Sequence, residues 1–300
     1  MRGLLREKEP LSRHTSWRVG GPADRYYEPA DREDLIDFAR ALRADEPILW
    51  IGLGSNLLVR DGGFRGTVVC LHGALSELRL EPPTSHVSRL TPHVLYSEAG
   101  VHCARLAKFA QQQRCAGLGF MAGIPGTVGG ALAMNAGAWG GETWPVVTEV
   151  EVLFRDGRTQ WLASAAFRYS YRQVEMPPGG FGFLAARFAV TPDLDGEHER
   201  RTRESLAQRK VTQPVGKPSA GSTFRNPPGD HAARLIEACG LKGYRLGGAQ
   251  VSELHANFIL TEDGASAADV ENLIAHICER VRTQTGVELH PEVKIVGEPA

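Results

Sequence analysis

Cysteine is scarce and follows no pattern: Cys70, Cys103, Cys115, Cys239 and Cys278 are odd in number, widely scattered and without C-x-x-C spacing. That excludes a disulfide framework and a thiolate zinc or iron–sulfur site; no metal is expected, and the five read as ordinary buried thiols. No apolar run is long enough to span a bilayer, and the opening residues, Met1-Arg-Gly-Leu-Leu-Arg-Glu-Lys-Glu9, lack a signal-peptide core. The expectation is a cytoplasmic protein without a membrane partner. An excess of one charge is also missing. With 34 Lys and Arg against 35 Asp and Glu, the net charge is -1, so no nucleic-acid partner is expected. Two nucleotide-binding signatures are absent: there is no G-x-x-x-x-G-K-[ST] and no G-x-G-x-x-G, so neither a P-loop nor a Rossmann crossover is supported. Internal repeats and low-complexity tracts are absent too.

What remains is ordinary for a folded protein, at 42% hydrophobic and 23% charged residues, and 300 residues can hold two or three compact units. Glycine is the residue that stands out. The stretch from Met121 to Glu142, MAGIPGTVGGALAMNAGAWGGE, sets small residues densely among apolar ones. Such backbone can approach a ligand closely and present successive N–H groups to anionic oxygens. Pro125 fixes a turn and Asn135 supplies an amide. A second run, Ile48 to Arg60, carries an apolar strand into a Gly-Leu-Gly-Ser-Asn loop and out again, so backbone amides and the Ser55 hydroxyl can converge on a diphosphate. Each run alone reads as a tight turn; together they suggest a nucleotide cradle.

Taken in order, 31–42 has an N-cap candidate in Asp31, with Leu35, Ile36, Ala39 and Leu42 at helical spacing. The segment 15–23, with paired glycines and a proline, reads as a turn near a ligand or a sheet edge. Glu81-Pro-Pro-Thr-Ser-His86 marks a boundary. A helix is predicted over 103–114. Val150, Val152 and Phe154 alternate up to Asp156-Gly157, and the chain returns at 160–162, a β-hairpin. Residues 181–190 read as a strand, and 192–197 as a second boundary before a charged, solvated helix over 198–210. Two further helices are predicted, one from Asp230 to Gly240, the other carrying Val270, Leu273, Ile274, Ile277 and Val281 and closing at Gly286. The end, 291–296, alternates as a strand that turns Glu292 away from Val293 and Ile295.

Pro218-Ser-Ala-Gly-Ser-Thr-Phe-Arg-Asn-Pro-Pro228 sets Ser222 in a tight turn. A lone serine in a turn is structural far more often than catalytic; it lacks the G-x-S-x-G elbow, and no histidine is tied to it by spacing, so a hydrolase nucleophile is disfavoured. As a proton donor it needs a very basic acceptor. At this point the motifs carry a resemblance. Thr15-Ser-Trp-Arg-Val-Gly-Gly-Pro-Ala, Leu53-Gly-Ser-Asn-Leu-Leu-Val-Arg, Ala122-Gly-Ile-Pro-Gly-Thr-Val-Gly-Gly, Met134-Asn-Ala-Gly-Ala-Trp-Gly-Gly-Glu, the Ser222 turn and the terminal Pro291-Glu-Val resemble, in that order, the UDP-N-acetylenolpyruvoylglucosamine reductases.

The resemblance implies an α+β fold: a two-part FAD-binding unit of the vanillyl-alcohol-oxidase type (residues 1–75 and 76–197) and a C-terminal α+β substrate-binding domain (198–300). It implies non-covalent FAD, NADPH as co-substrate, and a nucleotide-sugar substrate whose enolpyruvyl group is reduced in peptidoglycan precursor synthesis; a monomer is expected. The family's catalytic serine falls on Ser222 and its glutamate on Glu292. Its arginine, in a Tyr-Arg pair, falls on Tyr171-Arg172, with Arg168 as the neighbouring alternative. Cofactor contacts are expected from Gly52, Gly54, Ser55, Asn56, Gly123, Ile124, Pro125, Gly126, Thr127, Gly130, Asn135, Gly137 and Ala138, and substrate diphosphate contacts from Lys210, Arg225 and Asn226. Trp139 either borders the flavin or sits in the core. His255 reads as structural, with a substrate contact from it or from Asn257 as the alternative. The chain also looks like the shorter form without a tyrosine-bearing lid.

These residue types suit the chemistry. Hydride added at C3 of an enol ether leaves charge at C2 and in the adjacent carboxylate, which a guanidinium can pair with through two parallel bonds and a protonated carboxyl can donate to. The carbanion is basic enough to take a proton from a serine. Two readings compete with this one: an FAD-dependent oxidase or dehydrogenase acting on another small molecule, and a catalytically silent flavin-binding module whose flavin NADPH does not reduce.

Overall fold

The computed structural model describes residues 1–43, 45–81 and 93–300. The boundary expected at Glu81–His86 lies, from residue 82 on, outside the described residues. The α-helices are α1 (Arg32–Ala41), α2 (Cys103–Gln112), α3 (Val128–Met134), α4 (Glu197–Thr212), α5 (Ala232–Ala238) and α6 (Ala267–Thr285). None is long and apolar enough to cross a membrane. The chain forms two compact units from separated segments: 1–5, 27–52 and 69–207 in the first, 6–26, 53–68 and 208–300 in the second.

In the first unit an antiparallel sheet has the order Thr159–Ala163, Val147–Phe154, Gly180–Pro192, His93–Glu98, Leu78–Glu81. The first two strands form the hairpin expected at Asp156-Gly157, where Gly157 takes a positive φ of 80°. Leu106 of α2 and Leu132 of α3 are buried with Leu95, Trp144, Val150 and Phe188 of this unit in one core. A second cluster joins Leu35 and Phe38 of α1 to Leu153 and Leu184. Helix α1 starts as its sequence dictates, with the Asp31 carboxylate accepting the Asp34 N–H. Asp34 then gathers the N–H groups of Gly3 (2.7 Å) and Ala30 (3.0 Å), the Arg2 N–H and the Tyr27 hydroxyl, which ties down the chain's beginning.

In the second unit α5 and α6 share a core with Trp17, Leu58, Phe224 and Val251. Helix α6 has the capping box of Ser266 and Asp269, and ends at Gly286 with φ 73°. Its first turn is capped again from far away in the sequence: Asp61 accepts the Ala267 and Ala268 N–H groups at 2.8 and 2.9 Å, beside a paired Arg60–Glu271 bond. Two expectations need correction. Helix α5 opens at Ala232, not Asp230, because the Asp230 carboxylate binds the His231 N–H and the Arg234 side chain instead of capping. The terminal strand is shorter than 291–296: Lys294–Val296 pairs in parallel with Leu57–Val59, whereas Pro291, with no N–H to give, forms an isolated bridge with Phe224.

Candidate active site

The first unit holds the long glycine stretch, and its backbone is fixed from both sides. Gly126 O accepts the Cys103 N–H at 2.9 Å, while the Val128 and Gly129 N–H groups donate to Val101 O and Ala99 O at 2.8 Å each. Thr127 caps α3, accepting the Gly130 N–H at 3.4 Å. Side chains are excluded by contact: a Cβ on Gly123 would lie 2.7 Å from that of Ala138 and 3.0 Å from the Trp139 ring, and one on Gly52 would lie 2.4 Å from Thr127 Oγ1. Ile124 is buried and Pro125 exposed. The result is a wall of tightly packed main chain whose N–H groups at 124, 126 and 128–130 are bonded within the protein, so what it offers a ligand is close approach and shape.

Asn135 behaves differently from the expectation. It is fully buried, at 0% exposure, in the left-handed conformation that ends α3 (φ 44°). Its amide donates to the Glu142 carboxylate (3.0 Å) and Ser170 O (3.2 Å), and its oxygen accepts the Trp144 N–H (3.0 Å). With the side chain so committed, Asn135 shapes the turn and offers no amide to a ligand. Trp139 is 41% exposed, so the core alternative is wrong; with Gly140 it forms a pair of left-handed residues (φ 52° and 82°) between Gly137–Ala138 and Gly141–Glu142.

Arg172 also has a positive φ, 59°, in the turn of the hairpin Arg168–Ser170 and Gln173–Glu175. Its guanidinium donates to Asn135 O and Gly137 O, both at 3.2 Å, and lies 4.8 Å from the Tyr171 ring centroid. Arg168 sits exposed on the hairpin strand. Of the two arginines, Arg172 is the one brought to the glycine stretch.

The second unit holds the other residues. Gly54 has φ +57°, and a Cβ there would lie 2.0 Å from His14 O, so only glycine fits where the loop presses on the 14–17 turn. Gly54 O in turn accepts the Ser16 N–H at 3.2 Å. The turn expected from the paired glycines therefore supports this loop. Ser55 and Asn56 are half-buried. Asn56 Nδ2 donates to Glu292 O at 3.2 Å, and Asn56 O accepts the Lys294 N–H at 3.0 Å.

Ser222 follows Gly221 (φ 75°) and leads into a short extended segment that is bonded on both edges. On one side Thr223 O accepts the Glu292 N–H (2.8 Å), and the Arg225 N–H donates to His290 O (3.0 Å). On the other, the Thr223 N–H donates to Asn257 O (2.8 Å). The Asn257 side chain accepts the Phe224 N–H (2.9 Å) and donates to Phe224 O (2.8 Å), as another strand would. The segments that carry Ser222 and Glu292 are thereby brought side by side. Asn257, 3% exposed, is spent on this task and does not offer a substrate contact. His255 is held by its neighbours: its Nδ1 accepts the Asn257 N–H at 3.3 Å, its ring packs edge-on against Phe258, and burial pushes its pKa down, favouring neutral imidazole.

Lys210 is exposed in the last turn of α4, next to Arg209, whose pKa burial lowers. Asn226 is exposed; its Oδ1 accepts the Ala232 N–H at 3.1 Å, which fixes the amide so that its nitrogen is the end left to donate. Arg225 is half-buried, with Nε enclosed. No group of three or more His, Cys, Asp or Glu among the described residues could hold a metal ion.

Residues 23–163, which include the glycine stretch, match the FAD binding domain family. The chain is a flavoprotein oxidoreductase by class. Residues 213–296 match the C-terminal domain of UDP-N-acetylenolpyruvoylglucosamine reductase. The enzyme of that name from Methylococcus capsulatus is 53% identical over 297 residues, 99% of this chain and 94% of that protein. The one from Coxiella burnetii is 47% identical over 307 residues, 99% and 97%. In structure, the reductase of Thermus caldophilus aligns with a TM-score of 0.77 at 34% identity, covering 98% of this chain and 99% of that one. This chain belongs to the UDP-N-acetylenolpyruvoylglucosamine reductase family.

Proposed function

We propose that this protein reduces the enolpyruvyl ether of UDP-N-acetylglucosamine enolpyruvate to UDP-N-acetylmuramate, a step in peptidoglycan precursor synthesis, acting as a cytoplasmic monomer. FAD, when bound, supplies the hydride for C3 of the enolpyruvyl group, having taken one from NADPH. The FAD-binding parts are residues 1–75 and 76–197, and the substrate domain is 198–300. Gly52, Gly54, Ser55, Asn56, Gly123, Ile124, Pro125, Gly126, Thr127, Gly130, Gly137 and Ala138 hold the dinucleotide, mostly through main chain, and Asn135 holds their turn in shape. Lys210, Arg225 and Asn226 bind the substrate diphosphate.

The chain's own residues then manage charge and proton. Arg172 pairs with the substrate carboxylate into which negative charge spreads, and the carboxyl of Glu292, when it carries a proton, donates to the same developing charge. Ser222 Oγ gives its proton to C2, a carbanionic centre basic enough to take it. What supports this reading most is the pairing of 223–225 with 290–292, which brings the segment next to Ser222 alongside the one that carries Glu292 in a chain of this family.

The test is Ser222→Ala followed anaerobically by stopped flow. NADPH should reduce the flavin at the wild-type rate, whereas reoxidation by the enolpyruvyl substrate should slow about 100-fold or more. Reoxidation at the wild-type rate removes Ser222 from the mechanism.

A further inference from the structure

The strand that follows Ser222 carries a polar group with no assigned task. Phe224 is bridged antiparallel to Pro291, with hydrogen bonds from Arg225 N–H to His290 O and from Glu292 N–H to Thr223 O. Opposed residues of an antiparallel pair share a face, and neighbours along a strand alternate. Thr223 therefore lies directly across from Glu292, and Arg225 across from His290, on the face opposite the buried Phe224 ring. Thr223 is 0% exposed, and its Oγ1 has no hydrogen-bond partner; Arg225 Nε, on the same face, is likewise buried without one. A valine of the same shape would spare the protein the cost of an unmet buried hydroxyl, and polar groups left in that state call for a reason.

Glu292 is half-buried, and the Cβ atoms of an opposed pair lie about 4.5–5.5 Å apart. A glutamate side chain is long enough to reach across such a pair to a threonine hydroxyl. We propose that Thr223 is a positioning residue, whose hydroxyl donates to one oxygen of Glu292 and so turns the other toward the charge developing on the substrate. The inference rests on the role given to Glu292 above.

The experiment compares Thr223→Val and Thr223→Ser, as flavin-loaded full-length protein, in the two half-reactions. Reoxidation by the enolpyruvyl substrate should slow about tenfold in Thr223→Val, the loss appropriate to one hydrogen bond to a charged or acidic group. The substrate concentration for half-saturation should stay within about twofold, since the interaction belongs to the reacting state. Thr223→Ser should recover most of the rate, which mere filling of the space would not achieve. Wild-type reoxidation in Thr223→Val overturns the inference, as does failure of serine to rescue. Should the valine variant not fold, Thr223→Ala is read in its place. Glu292→Gln, measured alongside, separates the two claims. If it too reacts at the wild-type rate, the role of Glu292 falls; if it is slow while Thr223→Val is not, only the role of Thr223 falls.

Discussion

Replacing Asn257 should damage the protein twice, once in stability and once in the second half-reaction. Its side chain closes two hydrogen bonds with Phe224, at 2.9 and 2.8 Å, at a position 3% exposed. In Asn257→Ala both the Phe224 N–H and C=O are left buried without partners, at about 1–3 kcal/mol each, so about 2–6 kcal/mol in all. For a protein of this size that lowers the melting temperature by roughly 3–10 °C. Asn257→Asp is more telling, because the shape is kept. The aspartate still accepts from Phe224 N–H, but its second oxygen now faces Phe224 O, and a repulsion replaces a bond. Protonation turns that oxygen back into a donor, so the aspartate variant should regain stability as pH falls while the alanine variant should not. Thermal unfolding from pH 4 to 8 gives the first readout. Stopped flow gives the second: flavin reduction by NADPH near the wild-type rate, reoxidation by substrate slowed, because Ser222 stands at the end of the segment that Asn257 holds. An alanine variant within about 1 kcal/mol of wild type, with normal reoxidation, would show that the bonds to Phe224 neither stabilise the protein nor place the serine.

Other expectations follow from single contacts. Burial alone would raise the Asp34 carboxyl pKa, but the Tyr27 hydroxyl and the N–H groups of Ala30, Arg2 and Gly3 outweigh it and hold the group at about 2, against an ordinary 3.8. Because the folded value is the lower one, this stabilisation, about 2 kcal/mol, is complete above the unfolded value and fades as pH falls from about 4 toward 2. Asp34→Asn should therefore melt well below wild type at pH 7, with the gap narrowing toward pH 2; a gap unchanged by acid would contradict the assignment. Gly123→Ala forces a methyl to within 2.7 Å of Ala138 Cβ and 3.0 Å of the Trp139 ring. Relieving that overlap costs about 1–3 kcal/mol, and the purified variant should hold less flavin; full flavin content would mean that the wall yields without consequence.

Local signals in the sequence carried the local structure. Asp31 opens one helix and Gly286 closes another where their chemistry says they must, and Asp156-Gly157 turns the hairpin that links Val147–Phe154 to Thr159–Ala163. What the sequence hid was long-range. No periodicity tells that Asp61 caps α6, or that residues 6–26 and 53–68 join 208–300 in one unit. Asn257 was hidden for a sharper reason: its partner is the main chain of Phe224, which leaves no trace in the identity of residue 224. Asn135 misled in the opposite sense, since an amide in a glycine-rich stretch looks like a ligand contact, and only the three bonds to Glu142, Ser170 and Trp144 reveal it as structural. For Trp139 the sequence left two readings open, and exposure with a left-handed backbone on a turn removes the core one.

The distribution of hydrogen bonds around Ser222 bears on how so weak an acid is put to use. A serine hydroxyl gives up its proton only to a strongly basic centre, and that centre exists only during the reaction, so the donor must already stand at the right distance when it forms. A serine on a free loop would meet that condition in a small fraction of its conformations. Here the residues after Ser222 are bonded on both edges, to 257 on one side and to 290–292 on the other, and Phe224 is sealed in the core. Freedom is confined to the side before it, where Gly221 has no atom within 4 Å of a would-be Cβ. Yet its φ of 75° restricts that position to glycine without strain. The glycine bends the chain sharply, and the paired segment keeps the bend from relaxing. Glu292 shares the same ladder through Thr223 O, so the serine and the carboxylate are located by one set of bonds. A change that shifts one shifts the other, and their loss in a double variant should be far from additive.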